Sequence, residues 1–153
     1  MRAVGTWQKA LGGLRRKLLF CLLPAACLLA CSIPNLEPQA CIDSRNGVRE
    51  FYSFHFGNEM LNSPESLKPR ERFLTSEFVA RIKNEKEGID PYTTGTEELP
   101  KAFRLGECNE LAPDRTAFHV LLFWKDDIRS EQRPINVEAV KVGEKWLIDN
   151  VTR

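Results

Sequence analysis

His55 and His119 are the only two imidazoles in the 153-residue chain, and acid–base chemistry near neutral pH would be built on them or on a carboxyl group displaced by burial. Three further residues could gather round them: Tyr52, three positions before His55; Tyr92, in an Asp-Pro-Tyr stretch; and Asp149, close to the last residue. In an apolar pocket such a set would let an imidazole or carboxylate take a proton while a tyrosine or a protonated acid polarises a carbonyl. The substrate of that chemistry would be small and apolar. The competing reading is a pair of histidines with structural roles. No metal-ligand cluster, phosphate-cradling glycine loop or Gly-x-Ser-x-Gly elbow is present, and no cysteine and histidine stand with a third orienting partner. The sequence therefore leads us to expect no catalytic set, no metal and no cofactor. The expected function is a module that binds a protein or a small ligand, and a proton-transfer enzyme is the alternative.

The positions of these residues follow from the hydrophobic pattern. From Asp43 to Asn62 the residues Val48, Phe51, Tyr52 and Phe56 recur at helical spacing, and at a hundred degrees per residue His55 falls near the centre of that stripe. Ser63-Pro64 reads as the cap and first position of a short second helix. Thr75 or Ser76 reads as the cap of a third, carrying Leu74, Phe78 and Ile82 at four-residue steps and stopping at Gly88. Asp90 to Pro100 has no periodicity and reads as a loop, with Asp90 and Tyr92 as its candidate polar contacts. Beyond Pro100 the period becomes two. Strands are expected over Ala102 to Cys108, Arg115 to Trp124, Pro134 to Val142 and Lys145 to Val151, the last two joined at Gly143-Glu144. The second has apolar residues on both faces and should be central in its sheet, with His119 beside Ala117, Leu121 and Phe123. Helices followed by a meander make an α+β domain.

The first thirty residues obey a different logic. Arg2, Lys9, Arg15, Arg16 and Lys17 precede the apolar run Leu18 to Ala30, which is short for a membrane span and suits a signal segment. Leu28-Leu29-Ala30-Cys31 resembles the lipobox of bacterial lipoprotein precursors. That resemblance implies cleavage before Cys31, a diacylglycerol thioether on its sulfur and further acyl chains as a membrane anchor. Ser32 at the following position implies sorting to the outer membrane, facing the periplasm. The organisation expected is a signal peptide over 1–30, a tether over 31–40 and a single domain over 41–153.

Losing the leader changes the charge and the cysteine inventory. Seventeen Lys and Arg remain against 21 acids, with the signs interspersed, which offers no electrostatic basis for nucleic-acid binding. Of five cysteines, Cys41 and Cys108 remain with free sulfurs, and an oxidising compartment would allow them to pair; two unpaired thiols are the other reading. The expected partners are the membrane, through the lipid, and an envelope protein.

The order of elements, together with the closing Lys145-Trp146-Leu147-Ile148-Asp149-Asn150-Val151, resembles the nuclear transport factor 2-like superfamily. Within it the chain is similar to bacterial envelope proteins of unknown function, through Val48-Arg49-Glu50-Phe51-Tyr52, Phe73-Leu74-Thr75 and Asp90-Pro91. The resemblance implies a cone in which N-terminal helices pack into a curved antiparallel sheet of about four strands. It carries over no catalytic residues, since that cone hosts enzymes and non-enzymatic modules alike.

Overall fold

The computed structural model describes residues 37–125, 127 and 130–153. The signal segment, Cys31 and most of the tether lie outside the described residues. Helix α1 is Gln39–Phe56, α2 is Pro64–Leu67, a 3₁₀ segment follows at Lys68–Phe73, and α3 is Ser76–Ile82. Four strands complete the chain: β1 Ala102–Ala112, β2 Arg115–Lys125, β3 Ser130–Val142 and β4 Lys145–Thr152. They form one antiparallel sheet in the order β1-β2-β3-β4, so each strand pairs with its sequence neighbour and β2 lies inside the sheet. The architecture is α+β. No helix among the described residues is long and apolar enough to cross a membrane.

One side of α1 makes the core. Val48, Phe51, Tyr52 and His55 are buried at the expected spacing, and the first three share one core with the inward residues Phe118, Val120 and Leu122 of β2 and Val137 and Ala139 of β3. The helix is four residues earlier at its start and six shorter at its end than periodicity suggests. Pro38 supplies the first carbonyl, to Cys41 and Ile42. At the other end Gly57 and Asn58 cap the last turn: Gly57 N–H reaches the Ser53 carbonyl and the Asn58 amide reaches that of Phe54. Helix α3 likewise stops at Ile82 rather than Gly88, where the backbone N–H groups of Asn84 and Glu85 turn back on the carbonyls of Arg81 and Ile82.

Cys41 in the first turn of α1 is joined to Cys108 of β1 as a disulfide, with Cα atoms 5.9 Å apart. It closes a loop of 67 residues, a constraint that in the chain-entropy model destabilises the unfolded state by about 4 kcal/mol. Strand β1 runs past Cys108 to Ala112 through two register shifts, which alternation alone does not announce. Another shift, between Glu138 and Ala139, leaves Asp149 of β4 without a partner on β3. Ile148 and Val151, three apart, are consequently both buried. Strict alternation, which groups Asp149 with Val151, fails at this bulge. The outer edge of β4 is covered where Leu74 bridges Ile148 and the Thr75 N–H bonds to the Ile148 carbonyl.

Candidate functional site

The largest concentration of ionisable side chains inside the domain is centred on His55. Asp90 begins a compact turn: its N–H bonds to the Thr96 carbonyl at 2.9 Å and its carbonyl accepts from Gly95 at 2.8 Å. Gly95 has φ +70°, and a Cβ there would stand 2.6 Å from the guanidinium carbon of Arg153. That guanidinium clamps the turn from outside, donating to the carbonyls of Thr93 at 3.0 Å and Pro91 at 2.9 Å. The turn thus aims the Asp90 carboxylate inward, where it accepts from the Tyr92 N–H at 3.0 Å and from the Thr93 hydroxyl.

The remaining valence of that carboxylate goes to His55 Nε2 at 3.0 Å. The opposite ring nitrogen, Nδ1, accepts from Arg70 Nε at 3.0 Å. An arginine Nε–H can only donate, so Nδ1 carries a lone pair and Nε2 carries the proton given to Asp90. Arg70 spends its other nitrogens on the carbonyls of Ser66 and Glu59. His55 and Asp90 are 0% exposed and Arg70 is 1%. Phe51 stacks parallel to the imidazole at 5.8 Å between centroids, and Tyr92 meets it edge-on at 5.0 Å. The Tyr52 hydroxyl donates to the Tyr92 carbonyl at 2.9 Å, while the Tyr92 hydroxyl is buried without a partner.

Burial dominates the electrostatics here. It drives Tyr52 well above the ordinary tyrosine range, with the Asp90 charge adding to the rise, and it raises Tyr92 against the pull of Arg70. It also lowers Arg70 from the usual arginine value, although Tyr92 and Asp90 oppose the shift. Chemically the centre is a histidine between a carboxylate and a guanidinium. A general base needs a nitrogen within hydrogen-bond reach of a substrate proton. Both of these nitrogens are occupied, and the residue at the position a nucleophile would take is an arginine with no acceptor to offer. What the arrangement does is fasten α1, the 3₁₀ segment and the Asp90 turn to one another.

Tyr52, His55 and Tyr92 are therefore brought together as a group, but as a filled interior rather than a pocket. His119 and Asp149 are not part of it. His119 is exposed on β2, between the buried Phe118 and Val120, and so points away from the helices. Asp149, at the β4 bulge, accepts from the Thr75 hydroxyl at 2.7 Å and from Arg115 at 3.0 Å, and Arg115 also reaches Glu138 at 2.8 Å. These bonds hold the Arg115 guanidinium more firmly charged than usual, the Asp149 bond first. Asp149 thus ties the cap of α3 to the sheet. Arg70 and Thr93 inside, and Arg153 clamping the turn from outside, are residues that residue types alone did not single out.

A second region is open. The face of α1 bearing Asp43, Gly47, Glu50 and Phe54 looks across a groove of about 750 Å³ at Glu144, Lys145, Trp146 and Leu147 of the β3–β4 hairpin, with Arg72 and Phe73 also lining it. Gly47 sets the approach of the two walls, since a Cβ there would lie 3.0 Å from the Trp146 carbonyl oxygen. Arg72 lies over Phe73 at 4.5 Å and over Phe54 at 4.9 Å. Among the described residues, one His, Cys, Asp and Glu cluster has donor atoms close enough to share a metal, Glu37 with Cys41 and Cys108, but its two sulfurs are bonded to each other.

No protein-family model matches this chain, and no curated protein matches it. Among solved structures it is similar to a protein of unknown function from Bacteroides thetaiotaomicron, at 18% identity and a TM-score of 0.45 over 88% of this chain and 99% of that one.

Proposed function

We propose that the protein is a lipid-anchored outer-membrane protein facing the periplasm, which acts by binding, as an accessory to an envelope partner, and catalyses no reaction. The fold that accompanies this reading is the nuclear transport factor 2-like cone. It is supported by the succession of a long helix, two short ones and a four-stranded meander, with α1 packed on the inward side of the sheet. The lipid anchor is supported by Leu28-Leu29-Ala30-Cys31 behind a basic leader. A disulfide between Cys41 and Cys108 suits an oxidising compartment.

One observation carries the non-catalytic part. His55, the residue best suited to proton transfer, is fully buried and bonded at both ring nitrogens. A cone-type proton-transfer enzyme would need the Asp90 turn to lift before any substrate reached it. The test is crosslinking in cells followed by purification from solubilised envelope, with wild type compared to Cys31→Ala. Recovery of a single envelope protein that disappears with the anchor is the expected result. A Cys31→Ala chain that still fractionates with the outer membrane and resists carbonate extraction would refute the anchor.

A further inference from the structure

We propose that the end of the domain carrying Ile42, Leu111 and Val142 rests on the lipid bilayer, with those three side chains in the boundary between headgroups and acyl chains. This deepens the reading of the protein as lipid-anchored through Cys31 and rests on it.

Among the described residues the exposed large hydrophobic side chains are Ile42 at 36%, Leu111 at 54% and Val142 at 53%, and all three stand at one end of the domain. Leu111 closes β1 and Val142 closes β3, and the turns that follow them are joined where the Lys141 N–H donates to the Asp114 carbonyl at 2.8 Å. The first turn of α1 lies at the same end. Cys41 is bonded to Cys108, three residues before Leu111, and the Thr116 hydroxyl at the start of β2 donates to that of Ser44 at 3.0 Å. Helical side chains lean toward the N-terminus, so Ile42 leans out toward this end. The last turn of α1 is at the opposite end, where the rings of Phe56 and Phe103 are 5.1 Å apart at the start of β1. Single exposed hydrophobics are ordinary, but these share the end at which the chain enters the domain. There the Glu37 carboxylate lies within 4.8 Å of the Cys41 and Cys108 sulfurs. From Cys31 to Glu37 is a step of six residues, which reaches at most about 20 Å. An acylated Cys31 therefore keeps this end beside the lipid surface and makes the contact intramolecular, so that three side chains too few to hold a free domain add to an anchor already in place. The exposed charges around them are of both signs, Asp43, Asp114 and Glu144 with Lys141 and Lys145, and call for no anionic headgroup.

The experiment places the mature protein, purified from membranes, in vesicles of phosphatidylethanolamine and phosphatidylglycerol. A nitroxide is attached at Leu111→Cys, at Val142→Cys or, at the opposite end of the domain, at Lys101→Cys. All three positions are exposed, so the variants keep the fold. With Cys41 and Cys108 bonded to each other and Cys31 acylated, the introduced thiol is the one that labels. Electron paramagnetic resonance then compares collision with oxygen, which concentrates in the bilayer, and with a water-soluble nickel chelate. The expected result is loss of nickel contact and gain of oxygen contact at 111 and 142, with the label at 101 open to nickel. Labels at 111 and 142 as open to nickel as that at 101, on protein whose Cys31 peptide carries lipid by mass spectrometry, would overturn the proposal and leave the anchor standing. Shielding from oxygen and nickel alike would mean that a second copy covers this end, and would also overturn it. A Cys31 peptide without lipid would remove the anchor and this contact with it.

Discussion

The interior around His55 and the groove beside Trp146 contain similar side chains, histidine or arginine, carboxylates and aromatic rings, yet they differ in how those groups are used. In the interior nearly every polar atom is bonded to protein, and the Tyr92 hydroxyl is the exception. At the groove Glu50, Glu144 and Lys145 are exposed to water, while Asp43 accepts from the Gln39 amide and Arg72 lies over Phe54 and Phe73. A chemically suggestive set of residues is thus the structural part of this molecule, and an unremarked surface is its accessible part. The difference is one of solvation: a buried charge must be fully paired or it unfolds the protein, whereas an exposed one can wait for a ligand.

Substitutions should separate the two regions by size of effect. Asp90→Ala leaves Arg70 as an uncompensated buried charge and should cost about 3 to 5 kcal/mol in denaturant unfolding. A loss below about 1 kcal/mol would mean that the centre is wetter than its burial indicates. Replacing Cys41 and Cys108 together by serine should cost about 4 kcal/mol, through release of the 67-residue loop, and should act on thermal unfolding without altering the groove. Thr75→Ala removes both the cap of α3, where its hydroxyl accepts from the Phe78 N–H, and the bond to Asp149, for about 1 kcal/mol. Smallest is Glu50→Ala, within about 0.5 kcal/mol of wild type by the same unfolding assay. Were Glu50→Ala as damaging as Asp90→Ala, the distinction between the regions would collapse.

Alkali offers a further contrast. Because Tyr52 and Tyr92 have raised folded-state values, their protonated forms favour the native protein, and this contribution is complete below the ordinary tyrosine value of about 10. As pH rises beyond it the unfolded chain ionises first, so stability should fall through the alkaline range while tyrosinate absorbance lags behind that of free tyrosine. Tyr52→Phe should flatten the decline. Equal ionisation of both tyrosines at the ordinary value in native protein would contradict their burial.

Much of the fold was legible in the sequence because it rests on periodicity. The stripe Val48, Phe51, Tyr52 and the alternation of β2 identify a buried helix face and an interior strand, and His55 at the centre of the stripe is buried as its position indicates. Boundaries were harder. Gly57-Asn58 is a stop signal outweighed by Met60, which continues the pattern from a loop and is itself buried. The face of β2 that meets the helices could not be chosen, since both are apolar, and so His119 remained a candidate. Asp149 eluded alternation because a bulge is an inserted residue, set by pairing with β3 rather than by its own strand. Arg70 lies in Lys68-Pro69-Arg70-Glu71-Arg72, where four charged residues surround one proline and no pattern singles out one of them for burial; its burial depends on Asp90, twenty residues later, offering a counter-charge through His55. The groove is built from three separated segments, none amphipathic in a way that announces it.

The central claim is that the interior histidine is closed to solvent while the outer one is not. With only two histidines in the chain, diethyl pyrocarbonate modification of native protein, read by peptide mass spectrometry, compares them directly. Rapid acylation of His119 with His55 protected until the protein is unfolded is the predicted result. Acylation of His55 at a rate close to that of His119 would contradict it, since the Asp90 turn would then be opening and the interior would be within reach of a substrate.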